Sequence, residues 1–169
     1  MQRKLTCGML GLALLFVAWT GLSNAQQEVD RDFLIKVATL SHSDLRASEL
    51  AEKNASNAKV KEFAQKMVKG HNQLNDSLSK LATEQKIAVV AGTEKAAKDT
   101  YDRLTKLQGA EFDREYLKAI INDHERYIQM FETQISQGKD AGLTNFAKNA
   151  LPSARDHLKE ARALAAEVK

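Results

Sequence analysis

Apolar residues recur at alternating steps of three and four along four stretches of the 169-residue chain, and each stripe contains one polar residue. This spacing places the apolar side chains on one face of an α-helix, so it predicts four amphipathic helices that pack together. A polar group on such a face is unfavourable to bury unless it is satisfied. One interruption per helix therefore indicates a shared polar site inside a bundle. The interrupting residues are Asp44, His71, His124 and His157.

The spacing predicts an all-α protein, with helix A at about residues 30–54, helix B from the turn at 55–57 to about 81, helix C at about 110–136 and helix D from about 140. Ser56 or Asn57 is expected to cap helix B, and Asp140 helix D. Short turns make A and B antiparallel, and likewise C and D, whereas residues 86–109 form a long connection. This connectivity predicts a ferritin-like four-helix bundle.

The long connection from helix B to helix C contains a further predicted helix at residues 94–107. Thr93 is expected to open this helix and Gly109 to close it. It can carry the chain back along the bundle. Inside helix D, Pro152 removes one backbone hydrogen bond, which predicts a kink or a break one turn before His157.

Counting residues outward from each turn tests whether the four polar residues meet. In the C–D hairpin, His124 faces His157. In the A–B hairpin, Asp44 faces Met67 and His71 faces Leu40. Asp44 and His71 are therefore offset from each other by one layer, about 5 Å along the helix axis. We therefore expect His124 and His157 to share a layer, with Asp44 and His71 close enough for their side chains to reach it.

The N-terminus predicts a secretory signal peptide at residues 1–25 and a single domain at residues 26–169. Arg3 and Lys4 precede an apolar run, and Ser23 and Ala25 provide small residues for cleavage before Gln26. The apolar run is short for a membrane span. We therefore expect a periplasmic or otherwise exported protein with no membrane span in the mature chain.

Composition excludes several classes of function for the mature chain. Cys7, the only cysteine, lies in the predicted signal peptide, which excludes disulfides, zinc-thiolate sites and covalently attached haem. Residues 26–169 contain 23 Lys plus Arg and 22 Asp plus Glu, a net charge of +1, so no nucleic-acid partner is predicted. No nucleophile elbow, phosphate loop or dinucleotide motif is present, and the sequence does not favour an enzyme.

Three segments resemble the bacterial domain-of-unknown-function 4142 family: LAEKNASNAKVKEFAQKMVKGH (50–71), LQGAEFDREYLKAIINDH (107–124) and FAKNALPSARDHLKEA (146–161). The resemblance implies an exported, ferritin-like four-helix protein, of a kind frequently labelled as a predicted outer membrane protein, with no established activity. It also implies inward-facing histidines at His71, His124 and His157. The acidic position of helix A, usually glutamate in the family, is Asp44. Gly70 stands where the family usually has an acidic residue.

Two interpretations of the polar site remain open at this stage. Three imidazoles and one carboxylate form a reasonable ligand set for zinc, copper, nickel or iron. The same residues can instead form a structural polar network that fixes the helix register. In that case the domain would be an envelope stress or interaction module with a protein partner in the cell envelope.

Two kinds of iron cofactor have less support from the sequence. A ferritin-type di-iron centre calls for glutamate three residues before a histidine, but Val68 and Ala154 occupy those positions. Non-covalent haem is a further alternative, with Met67 or His71 and His157 as axial ligands. Met67, however, lies on a stripe where methionine is most often core.

Overall fold

A computed structural model describes residues 17–88 and 95–168, with side chains from residue 28 onward. These residues form five α-helices: α1 (Val17–Asn54), α2 (Ala58–Glu84), α3 (Lys95–Leu104), α4 (Gly109–Gln137) and α5 (Ala141–Glu167). Within these ranges, no helix combines the length and apolar character that crossing a membrane requires.

The helices form two antiparallel hairpins, α1 with α2 and α4 with α5, which pack with α1 against α4 and α2 against α5. Ser48 contacts Tyr116 while Asp30 contacts Gln134, so α1 and α4 are antiparallel. Since α2 is also antiparallel to α1, α2 and α4 are parallel, and the connection between them returns along the bundle. It contains α3, which lies against α1 and α4. The predicted ferritin-like four-helix bundle with an extra crossover helix is confirmed.

Some predicted helix boundaries were wrong. The chain is already helical at Val17, the first described residue, whereas helix A was predicted to begin at about residue 30. Helix α3 ends at Leu104, and Gly109 does not close it but begins α4 with a φ of 61°, a left-handed conformation that suits glycine. The predicted cap Thr93 and residues 1–16 of the predicted signal peptide lie outside the described residues.

Pro152 does not break helix D, because α5 is continuous from Ala141 to Glu167. Both Pro152 and Lys148, whose carbonyl loses its usual hydrogen-bond donor, are exposed. Water can therefore satisfy that carbonyl. On the opposite face, Ala147 and Ala154 are buried on either side of the proline and keep the helix packed.

Both hairpin turns are capped as predicted, and each is tied to another helix. Asn57 and Asp140 accept hydrogen bonds from the first backbone N–H groups of α2 and α5. Asp113 of α4, fully buried, accepts hydrogen bonds from Ser56 N at 3.0 Å, Ser56 Oγ at 2.6 Å and Asn57 N at 2.8 Å. Asp30 accepts hydrogen bonds from the Gln134 side chain at 2.7 Å and from the Asp140 backbone at 3.1 Å.

The apolar core is divided into two clusters along the bundle. One contains Phe63 and Tyr116, near the α1–α2 turn, and the other contains Phe33 and Phe131, near the α4–α5 turn. On each of the four long helices, the polar residue predicted from the sequence falls between the members of the two clusters. The bundle therefore has a polar layer between two apolar cores.

Candidate metal site

Three of the four predicted residues form a compact buried group. Asp44, His71 and His124 are 2%, 3% and 1% exposed, and each offers a ligand atom within 4.8 Å of the others. Asp44 Oδ2 lies 3.7 Å from His71 Nε2 and 3.9 Å from His124 Nδ1. The one-layer offset between Asp44 and His71 is thus closed by the reach of their side chains.

His71 is held through one ring nitrogen and unpartnered at the other. Its Nδ1 shares a hydrogen bond of 3.0 Å with the buried hydroxyl of Ser41, which lies almost one turn before Asp44 on α1. Its Nε2 is buried without a hydrogen-bond partner among the described residues. Burial, followed by the neighbouring His124 and His157, holds the pKa of His71 well below its usual range. The imidazole is therefore neutral at physiological pH.

His124 is oriented by its own helix. Its Nδ1 donates a hydrogen bond of 3.0 Å to the carbonyl of Ile120, one turn earlier on α4. A carbonyl only accepts, so this bond places the proton on Nδ1 and the lone pair on Nε2. Burial and the adjacent His157 lower the pKa of His124 to about 3. The imidazole is therefore neutral, and Nε2 is the atom with a free lone pair for a metal, whereas Nδ1, which lies 3.9 Å from Asp44 Oδ2, is occupied by its bond to Ile120.

Asp44 is the one acid of this group. Burial and the neighbouring carboxyl of Asp123, which shares a hydrogen bond with it, raise its pKa well above the usual range. Arg126 and the hydroxyl of Tyr127 oppose that shift. Oδ2 of Asp44 is buried and has no hydrogen-bond partner in the described part of the chain. A positive charge next to this oxygen would favour the ionised form.

His157 lies beside the compact group rather than within it. Its ring centroid is 5.4 Å from that of His124, which confirms that the two residues share a layer. Burial and, next, Lys66 lower the pKa of His157. Gly70 of α2 faces the ring: a Cβ built there would lie 3.4 Å from His157 Cε1. That is an ordinary contact distance, so the His157 imidazole packs directly against α2 at Gly70.

A cleft of about 360 Å³ between α2 and α5 gives access to the histidines, and we call it the α2–α5 cleft. His71, His124 and His157 all contribute to its lining, whereas Asp44 does not. Met67, considered above as a haem ligand, is fully buried in the apolar core and does not line the cleft.

Two residues of the site were not singled out from the sequence. Ser41 supports His71, and its position three residues before Asp44 was the available signal, because that spacing puts both on one helix face. Tyr127, three residues after His124 on α4, is buried, and its ring lies 5.3 Å from that of His124. Its hydroxyl makes no well-formed hydrogen bond among the described residues.

The geometry is compatible with a bound transition-metal ion. Ligand nitrogens and oxygens lie about 2.1 Å from such an ion, so two donors 3.7 Å apart can share it at an angle of about 125°. A direct hydrogen bond between Asp44 Oδ2 and His71 Nε2 would need a separation of about 3 Å. The pair is therefore too far apart for a hydrogen bond but suitably spaced for an ion.

The fold and the polar layer define a class of protein, a ferritin-like helical bundle with a buried histidine and aspartate group. The chain belongs to the family described as Domain of unknown function (DUF4142), whose model matches residues 20–164. No curated protein sequence matches it.

Solved structures share this fold at low sequence identity. A DUF305 fragment from Deinococcus radiodurans is 10% identical, with a TM-score of 0.74 over 82% of this chain and 96% of that one. CopM in the Cu(II)-bound form is 16% identical, with a TM-score of 0.71 over 82% and 96%. CopM in the Ag-bound form is 16% identical, with a TM-score of 0.66 over 80% and 93%.

Proposed function

We propose that this chain binds one transition-metal ion in the polar layer, through His71, Asp44, His124 and His157. The observation that carries the proposal is the pair of facing, buried and unpartnered atoms Asp44 Oδ2 and His71 Nε2, 3.7 Å apart. Leaving a buried polar atom unpaired costs about 1–3 kcal/mol. A metal ion bound between the two would satisfy both.

Copper is the first candidate for this ion. A ligand set of neutral imidazoles with one carboxylate suits Cu(II), and also zinc, nickel or iron. CopM, which shares the fold, has solved structures with Cu(II), Cu(I) and silver bound. CopM is 16% identical to this chain, and both the shared fold and the donor set of imidazoles and one carboxylate support copper.

The alternative of a purely structural network has less support. Such a network pairs its buried donors and acceptors with one another. Among the described residues, neither Asp44 Oδ2 nor His71 Nε2 is paired in this way. A role in docking a partner through an apolar patch also has little support, since Val29 is the one large hydrophobic residue exposed in the described part of the chain.

A thermal titration tests the proposal. We expect copper at one hundred times its Kd to stabilise the untagged mature domain by about 2.7 kcal/mol, which raises its Tm by about 8 °C. The double variant His71→Gln/His124→Gln should lose this shift. His42→Gln is the matched control, because His42 lies outside the group. The proposal fails if copper, zinc, nickel and iron all leave the Tm unchanged, or if the double variant responds like the wild type.

We also propose that the chain is exported after cleavage behind Ala25. The support is the order of basic, apolar and small residues at the N-terminus. The intact mass of the protein recovered from the periplasm should correspond to a chain that begins at Gln26. A recovered mass that includes residues 1–25 would contradict the proposed cleavage.

A further inference from the structure

Three buried polar atoms without a hydrogen-bond partner lie in the polar layer. Of the four such side-chain atoms in the described part of the chain, three belong to Asp44, His71 and Tyr127, and the fourth belongs to Gln134. The rings of His71 and Tyr127 are close together, with centroids 5.9 Å apart. The proposed ion would satisfy Asp44 Oδ2 and His71 Nε2, but it does not account for the Tyr127 hydroxyl.

The Tyr127 hydroxyl lies next to Ser41 and Asp44 of α1. Burial raises the pKa of Tyr127 well above its usual range, and the charge of Asp44 adds to that rise, whereas the Ser41 hydroxyl lowers it. The phenol therefore keeps its proton at physiological pH. A neutral phenol can accept one hydrogen bond and donate another. Tyr127 can thus connect its two neighbours.

The direction of the bond between Ser41 Oγ and His71 Nδ1, 3.0 Å apart, decides whether His71 can bind a metal. If Ser41 donates, the ring proton is on Nε2, which then has no free lone pair. If Nδ1 donates, Nε2 keeps its lone pair and Ser41 must donate its own proton to another acceptor. The Tyr127 hydroxyl is that acceptor when it donates in turn to the Asp44 carboxylate.

We propose that Tyr127 is a positioning residue of the metal site, whose hydroxyl accepts a hydrogen bond from Ser41 and donates one to the Asp44 carboxylate. The chain of bonds runs from His71 Nδ1 through Ser41 and Tyr127 to Asp44. It holds Asp44 in place and leaves His71 Nε2 free for the ion. This inference rests on the proposed function, because the ion favours the ionised Asp44 that accepts the last bond.

Tyr127→Phe separates this role from a purely structural one. The substitution removes a buried hydroxyl that has no well-formed bond among the described residues, so the free energy of unfolding of the metal-free protein should not fall. Copper binding should nevertheless weaken about tenfold, the effect of losing a hydrogen bond to a charged group. Urea unfolding of chelator-treated protein measures the first quantity, and competition titration against a chelator of known affinity measures the second.

Tyr116→Phe is the matched control. Tyr116 is also buried on α4, but its hydroxyl is 2.9 Å from Ser48 Oγ and is hydrogen-bonded to it. Removing the Tyr116 hydroxyl leaves Ser48 without this partner, so the variant should be less stable than the wild type. Its affinity for copper should be unchanged. The two tyrosine variants therefore have opposite expected effects on stability and on copper binding.

A double-mutant cycle tests the connection through Ser41. Because the two hydroxyls act in one chain, Ser41→Ala/Tyr127→Phe should weaken copper binding by less than the product of the two single effects. The inference is overturned if the effects multiply, or if Tyr127→Phe binds copper as tightly as Tyr116→Phe.

The absorption spectrum of the copper-loaded protein distinguishes a positioning residue from a ligand. A phenolate-to-copper charge-transfer band that is present in the wild type and absent in Tyr127→Phe would make Tyr127 a ligand and contradict the positioning role. We expect no such band. Wild-type protein that binds no copper, zinc, nickel or iron would overturn the proposed function, and this inference with it. Wild-type binding with equal affinities of the two tyrosine variants would overturn this inference alone.

Discussion

At the scale of single residues, Ser41 fixes the orientation of His71. The hydrogen bond of 3.0 Å between Ser41 Oγ and His71 Nδ1 leaves Nε2 facing Asp44. Ser41→Ala should weaken copper binding about 10-fold to 100-fold, as removal of a group that orients a metal ligand typically does. Ser43→Ala is the matched control, since the Ser43 hydroxyl donates to the Thr39 carbonyl of its own helix. Competition titration against a chelator of known affinity measures the difference, and equal affinities of the two variants would contradict this role.

The buried histidines also predict how stability depends on pH. Burial lowers the pKa of His71 and His124, that of His124 to about 3, whereas an unfolded histidine titrates near 6.5. Below pH 6.5 the unfolded chain therefore binds protons that the folded chain does not. The free energy of unfolding of the metal-free protein should therefore fall by up to about 1.4 kcal/mol per histidine for each pH unit below 6.5. The loss from His124 should continue down to about pH 3.

Asp44 acts in the opposite direction, because its pKa is raised in the folded chain. The contribution of Asp44 to the free energy of unfolding is complete below about pH 3.8, the pKa of an unfolded aspartate. It is lost as the pH rises through the pKa of Asp44 in the folded chain. Urea unfolding between pH 4.5 and 7.5 should therefore separate the two effects. The double variant His71→Gln/His124→Gln should reduce the loss of unfolding free energy that occurs as the pH falls. His42→Gln should leave that loss unchanged. A double variant with the wild-type slope would contradict this assignment.

Part of the residue-scale description was accessible from the sequence. Periodicity alone placed Asp44, His71, His124 and His157 on the inward faces. Layer counting put Asp44 one layer away from His71, and yet both belong to the three tightly grouped residues. Side-chain reach, which counting along a helix axis omits, accounts for the difference.

At the scale of secondary structure elements, Asp113 ties the α1–α2 turn to α4. Its carboxylate accepts hydrogen bonds from Ser56 and from the backbone of Asn57. Asp113→Ala leaves the donors of this turn without their acceptor, and we expect a loss of about 2–4 kcal/mol in the free energy of unfolding. Asp32→Ala, which removes an exposed ion pair with Lys36, should cost less than about 1 kcal/mol. Urea unfolding at pH 7 compares the two, and similar losses would contradict the role of Asp113.

The elements themselves were largely predictable, but some of their boundaries were not. Apolar spacing identified the four long helices because each buries one continuous stripe. The start of α1 was predicted too late, because the apolar spacing follows the packed part of the helix, and the described helix extends before that part to Val17. The hydrogen bonds from the α1–α2 turn to Asp113 could not be predicted, because the residues that donate them are 56 and 57 positions away in sequence.

At the scale of the whole molecule, the polar layer and the α2–α5 cleft are adjacent, because three histidines of the layer line the cleft. The layer separates two apolar cores, and the cleft connects it with the surface between α2 and α5. The connectivity that forms this arrangement was predicted from loop lengths. The cleft was not predicted, because it depends on how α2 and α5 pack against each other.

The most direct test of the central claim is the number of copper ions held by each chain. Native mass spectrometry of the untagged mature domain, loaded with copper and freed of excess metal, should show one ion per chain. Asp44→Asn and His71→Gln should each lose most of the bound copper, whereas His42→Gln should keep it. Wild-type protein without bound copper, or site variants that retain a full ion, would contradict the assignment of the polar layer as a metal site.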